Sequence, residues 1–128
     1  LYSDLIGKPF KYHARGPDSY DCLGLAIEVL KRNSIILNDF DLYQHNAESI
    51  AQNMDVARTS GFAVPLEKAE VLSIVTFQIV PRFITHVGVI IDEYGRFLHV
   101  LKGTNVTIEN VNDFIWKNKV KGYYKWTN

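Results

Sequence analysis

Apolar residues recur at helical spacing in two stretches of the first half of the chain and at alternating spacing through much of the second half. Leu23, Ala26, Ile27 and Leu30 fall at i, i+3, i+4 and i+7, which predicts a helix over residues 21–32. Ser19 or Asp21 supplies its cap, and Lys31 and Arg32 sit where the helix dipole favours cations. Leu25 and Val29 add a second apolar row, so this helix is expected to be wrapped by protein on most sides. Ile50, Met54 and Ala57 form the stripe of a second helix over 46–59, with Asn46 as cap and Gly61 as stop. Residues 7–20, rich in Gly, Pro and aromatics without a period, read as an ordered loop, and 33–45 as loop with extended pieces. From Val71 onward the pattern predicts strands over 71–80 (broken by Pro81), 85–91, 96–101, 106–110 and 120–126. Helices followed by a run of strands point to an α+β fold, N-terminal helices packed on an antiparallel sheet.

The hairpin around Asp92-Glu93-Tyr94-Gly95 carries the sharpest geometric expectation. With Ile91 opposite Arg96, Val89 faces Leu98 and Val87 faces Val100, which gathers one apolar face. The other face then carries His86, Gly88, Ile90, Phe97, His99 and Leu101. On that face His86 and His99 are diagonal neighbours, about 7–8 Å apart at the backbone. A one-residue slip would separate them, but it would also split the apolar set.

Composition narrows the class without naming it. At 128 residues, 47% apolar and 22% charged, the chain suits one globular domain over 1–128 with a single core. Lys plus Arg and Asp plus Glu number 14 each, so no basic excess points to nucleic acid. No apolar run reaches the length of a membrane span, and the opening residues do not form a signal peptide. The missing initiator Met suggests a chain processed, trimmed or cut from something longer.

Cys22, the sole cysteine, is placed in the first turn of a predicted helix. There the unpaired amides and the positive dipole end favour a thiolate, and the same amides suit an oxyanion. A lone cysteine is otherwise a small buried core residue. His86 supplies the base that such a thiol needs, although a strand histidine is more often structural. His99 beside it can orient the ring and fix its tautomer. A zinc site from Cys22, His86 and His99 is the competing reading, but no paired-ligand motif and no added carboxylate support it. His13 and His45 read as surface or loop residues, with His13 able to line a cleft.

These residues carry a resemblance. Gly7-Lys8-Pro9-Phe10-Lys11-Tyr12, then Asp21-Cys22-Leu23-Gly24-Leu25, resembles the nucleophile region of the NlpC-type cell-wall cysteine peptidases, which have a papain-like fold. His86-Val87-Gly88, and the hairpin closing on His99, look like that family's His-Val-Gly strand and third catalytic position. The closing Val120-Lys121-Gly122-Tyr123-Tyr124 is similar to members found in phage tails. The resemblance implies hydrolysis of an amide in peptidoglycan stem peptides, usually between D-glutamate and a diamino acid. It implies Cys22 as nucleophile, His86 as base and His99 as orienting residue, with no metal and no cofactor. Phe10, Tyr12, His13, Asp21 and Thr85 are the candidate substrate contacts. Expected partners are stem peptides, with a phage tail, a parent polypeptide or an immunity protein as further candidates; neither nucleic acid nor membrane is expected. A cell-wall substrate places the chain outside the cytoplasm, on a virion or within a larger delivered protein. The chain departs from the family pattern at Phe10 (usually Tyr), His13-Ala14 (usually Gly-Gly), Leu23 (Ser or Trp) and Ala69-Glu70 (Gly-Asp). Three rival readings stay open: a binding module that only keeps the fold, a toxin domain with the same chemistry, and acyl transfer to an amine other than water.

Overall fold

A computed structural model describes residues 1–39, 47–59 and 63–126. Helix α1 (Cys22–Arg32) follows the predicted stripe, with Asp21 as its cap. Helix α2 (Ala47–Arg58) buries Met54, with Ile50 packed beside it. The expected cap Asn46, the stop Gly61, His45 and the side chain of Ala57 lie outside the described residues.

The strands are β1 (Ala63–Leu66), β2 (Ile74–Phe77), β3 (His86–Ile90), β4 (Arg96–His99), β5 (Thr107–Asn110) and β6 (Val120–Trp126), with a one-turn helix α3 (Phe114–Lys117) before the last. They form one six-stranded sheet in the order β1-β6-β2-β3-β4-β5, every pair antiparallel. The α+β expectation holds, and two elements are additions to it: β1, an edge strand, and α3. The expected strand over 71–80 is shorter, because the chain turns at its start. Leu72 adopts a left-handed backbone (φ 68°), and the Ser73 hydroxyl donates to the Glu70 carbonyl at 2.6 Å.

Period-two alternation gives the sheet two apolar faces. Ile74, Val87, Val89, Leu98 and Val100 meet Leu23, Leu25, Ala26, Val29 and Leu30 of α1 in the larger core. Val75, Phe77, Ile90, Phe97 and Val111 form the smaller core on the other face, closed by Trp116 from α3. The β3–β4 register pairs Val89 with Leu98 and Ile90 with Phe97, as the hairpin argument requires. Gly95 takes φ 88° in the turn, where Asp92 Oδ1 accepts from the Tyr94 and Arg96 amides at 2.9 and 3.2 Å.

The loop before α1 is fastened to the sheet end that carries the histidines. Phe10 N–H donates to the Thr104 carbonyl and Val106 N–H to the Lys8 carbonyl, at 3.1 and 2.8 Å. Thr107, next in the chain, is the register partner of His99. The segment leading into Cys22 therefore runs at the end of β4 where His99 sits.

Candidate active site

The start of α1 is built around Asp21, which is fully buried. Its Oδ1 accepts from the Gly24 amide at 2.7 Å and from Arg15 Nη1 at 2.8 Å, and its Oδ2 accepts from the His13 amide at 3.1 Å. One carboxylate thus caps the helix, anchors the preceding loop and neutralises a guanidinium. Gly24 is required on packing grounds, since a Cβ there would lie 2.2 Å from the Ala14 carbonyl oxygen. The Asp-Cys-x-Gly spacing is therefore a device for pressing a loop onto a helix N-terminus with the cysteine between its two fixed points.

Cys22 is 1% exposed and opens α1, whose main packing partner in the sheet is β3, the strand that begins with His86. Both histidines are buried on the sheet face opposite the body of α1. His86 Nε2 lies 2.8 Å from His99 Nδ1, so the expected diagonal pair is in hydrogen-bond contact. His99 Nε2 in turn meets Glu109 Oε2 at 2.6 Å. His86 Nδ1 is buried with no hydrogen-bond partner among the described residues. Phe77, Phe97 and Trp116 wall the pair in, with Phe97 4.5 Å and Trp116 4.9 Å from the His99 ring centre.

This surrounding sets the charges. Burial, helped by the adjacent His99 ring, holds His86 well below the ordinary imidazole pKa. Burial also lowers His99, against the opposing pull of the Glu109 carboxylate. For Glu109 burial acts to raise the carboxyl. The Trp116 indole N–H (close by, though outside hydrogen-bond geometry) and the His99 ring outweigh it, and the value falls below the ordinary one. Near neutral pH the pair is two neutral imidazoles ending on a carboxylate.

The other expected residues divide. Phe10, Tyr12 and His13 lie together, with Phe10 and Tyr12 edge to face at 5.2 Å and Tyr12 and His13 at 6.4 Å. Tyr12 and His13 are exposed, and Lys102 Nζ sits 5.3 Å from the Tyr12 ring centre. Thr85 is buried, its amide donating to the Phe77 carbonyl at 3.1 Å. Asp21, also expected to touch substrate, is fully buried, with its carboxylate bonded to the Gly24 and His13 amides and to Arg15. Glu109 escapes a sequence reading because only the β4–β5 register brings it to His99's face, opposite Phe97. Among the described residues no three His, Cys, Asp or Glu side chains are grouped to hold a metal ion.

A cavity of about 350 Å³ adjoins these residues on the α1 face. Leu23 and Val87, the immediate successors of Cys22 and His86, line it together with Ile74, Met54, Ile84 and Trp126, and Glu48, Asp55 and Arg82 supply charge. No helix among the described residues is long and apolar enough to cross a membrane.

A helix-start cysteine packed on an antiparallel sheet that presents a histidine pair defines a papain-like α+β domain. The NlpC/P60 family profile matches residues 7–125, and the chain belongs to that family. Among solved structures, NlpC1 from Trichomonas vaginalis aligns with a TM-score of 0.66 and 26% identity, over 100% of this chain and 42% of that one. An NLP/P60-family protein similar to lipoprotein from Staphylococcus aureus gives 0.62 and 18%, over 97% and 38%. The NlpC/p60 domain of peptidoglycan hydrolase SagA gives 0.59 and 16%, over 96% and 91%. The chain thus spans less than half the length of the first two. No curated protein sequence matches it.

Proposed function

We propose that the chain is a cysteine peptidase that hydrolyses an amide in peptidoglycan stem peptides, with Cys22 as nucleophile, His86 as base and His99 as the residue orienting it. One observation carries the reading. His86 has one ring nitrogen held by His99 and the other buried without a hydrogen-bond partner among the described residues, on the strand against which the Cys22 helix packs. In this scheme the Cys22 thiol gives its proton to His86 Nδ1, and the sulfur attacks the substrate carbonyl carbon. The Gly24 and Leu25 amides are already taken by Asp21, through its side chain and its carbonyl, so in this scheme the oxyanion is held by the earlier amides of the α1 start, Leu23 among them. His86 returns the proton to the leaving amine, and a water deprotonated by His86 then hydrolyses the thioester. Family membership and the likeness to a domain of a peptidoglycan hydrolase support the substrate class, and the D-glutamyl–diamino acid bond is the expected cut.

The test is mass spectrometry of purified stem peptides after incubation with the chain and with Cys22→Ala. Cleavage by the first alone supports the reading and names the bond; equal or absent cleavage overturns it. The near-complete burial of Cys22 favours one other reading, a wall-binding module that keeps the fold. A thiol that resists iodoacetamide at neutral pH, together with retained binding to peptidoglycan, would select that alternative.

A further inference from the structure

The hydrogen-bond chain that starts at His86 does not end at His99. It runs on to Glu109, which neither the sequence motifs nor the family match brings into the site. The three side chains lie on one sheet face across three neighbouring strands, β3, β4 and β5, from a fully buried ring to a carboxylate about one-third exposed.

The direction of that chain follows from what each group can give. An ionised carboxylate only accepts hydrogen bonds, so at 2.6 Å His99 Nε2 must carry the proton. A neutral imidazole has one N–H, so His99 Nδ1 is then bare and can only accept. The 2.8 Å contact therefore requires His86 Nε2 to donate. That leaves the His86 lone pair on Nδ1, the atom without a partner among the described residues. The reverse direction fails at both ends. It needs a protonated Glu109, and it leaves a buried N–H on His86 with no acceptor and no basic lone pair, at a cost of roughly 1–3 kcal/mol for the orphaned donor.

We propose that Glu109 is a positioning residue: by accepting from His99 Nε2 it fixes the tautomers of both imidazoles in series and so decides that Nδ1 is the basic nitrogen of His86. The walls suit this role. Phe97 and the perpendicular Trp116 hold the plane of the His99 ring, so it cannot turn to offer its other nitrogen to Glu109 without displacing the smaller core. When His86 takes up a proton, the positive charge is also one ring away from a carboxylate, which favours the imidazolium. The catalytic consequence rests on the peptidase reading; the tautomers themselves do not.

The experiment reads the tautomers directly, by long-range nitrogen–proton NMR on histidine-labelled protein near pH 7.5. In the unmodified chain both rings should be protonated at Nε2 and bare at Nδ1. A His99 protonated at Nδ1 overturns the proposal without any variant being made. In Glu109→Gln the amide can donate or accept, so a second tautomer should appear at His99, and Cys22 alkylation by iodoacetamide should slow by about tenfold or more, within the range a positioned base supplies. Glu109→Asp keeps an acceptor-only group and should restore the single tautomer. Unchanged tautomers in Glu109→Gln refute the role even if the variant is less stable. The two readings fail separately: fixed tautomers without cleavage of stem peptides leave this assignment standing and remove the peptidase, whereas Cys22-dependent cleavage with tautomers indifferent to Glu109 does the opposite.

Discussion

Replacing Asp21 tests whether one buried carboxylate sets the start of the Cys22 helix. Asp21→Ala removes the acceptor for the Gly24 amide, the acceptor for the His13 amide and one of two carboxylates facing Arg15. A lost cap costs about 1 kcal/mol. Breaking a fully buried ion pair costs about 3–5 kcal/mol. Here the low end applies, because Arg15 is partly exposed and keeps Asp39 at 2.9 Å. The total is about 3–4 kcal/mol, a large share of the stability of a domain this size. Asp21→Asn keeps an isosteric oxygen for the Gly24 amide and loses the charge, so it should cost less than half as much. The assay is urea unfolding of both variants, with the midpoint converted at constant m-value. Alanine should also loosen residues 13–15 and raise the alkylation rate of Cys22, which the cap holds at 1% exposure. A loss below about 1 kcal/mol for Asp21→Ala, or a larger loss for Asn than for Ala, would refute the account of the helix start.

Four further expectations follow from the same geometry. Both buried histidines have folded pKa values below the free value of about 6.5, so the unfolded chain binds more protons just below that pH. Stability should be complete above pH 6.5 and fall as the pH drops, by up to about 1.4 kcal/mol per pH unit for each ring, in urea titrations run between pH 7.5 and 5; a flat profile there contradicts two buried neutral imidazoles. Gly24→Ala places a methyl 2.2 Å from the Ala14 carbonyl oxygen and should cost about 3 kcal/mol or prevent folding, whereas a melting temperature within a few degrees of the parent would show that the loop yields freely. His13 holds φ 65°, where this family usually has glycine, so His13→Gly should raise stability by roughly 0.5–1 kcal/mol in the same titrations; a comparable loss would assign the His13 side chain a packing role. Ala51→Phe, projecting into the cavity beside Leu23 and Val87, should raise KM for the cleaved peptide and leave iodoacetamide reactivity unchanged; an unaltered KM would detach that cavity from substrate binding.

What was legible in the sequence was local and periodic. The α1 stripe has a 3.6-residue period that only a helix satisfies. The hairpin turn is short and even, so one register alone keeps Val87, Val89, Leu98 and Val100 on one face, and that register brings the two histidines together. What escaped was short or long-range. Helix α3 is a single turn, too brief for a period to show, although its Trp116 closes the smaller core. Strand β1 contains Pro65, which argues against a central strand; among the described residues it is an edge paired with β6 alone, and it tolerates a residue without an amide hydrogen. The end of β2 nearest the site was hidden because strand-forming Ile79 and Val80 follow it after only Gln78, while the pairing with β6 slips between Thr76 and Phe77. Glu109 sits in a four-residue strand with two exposed positions, so nothing in its neighbours' polarity marks it.

The two sheet faces divide the labour of the site. The face toward α1 is mainly aliphatic, joined by Thr76, by Tyr124 and Trp126 of β6 and by a few charged groups at the cavity rim, and it fixes where the Cys22 helix lies. The opposite face sets Phe77, Phe97 and Trp116 among aliphatic residues and buries both histidines, which favours their neutral forms. If His86 acts as the proposed base, this placement favours it in two ways: its resting form is the unprotonated one, and its protonated form finds a carboxylate two hydrogen bonds away. Both rings are buried, so under the proposed peptidase reading the scissile amide would approach from the helix N-terminus, where the loop over 7–20 ends. That loop is also where the chain departs most from its family, at Phe10, His13 and Ala14. Under the proposed reading, substrate selection and proton transfer would then be carried by different parts of the fold. Substitutions at Phe10, Tyr12 and His13 should change which peptide is cut while the pH dependence of Cys22 alkylation stays that of the parent; if the two move together, the loop and the histidine face act as one unit and the division fails.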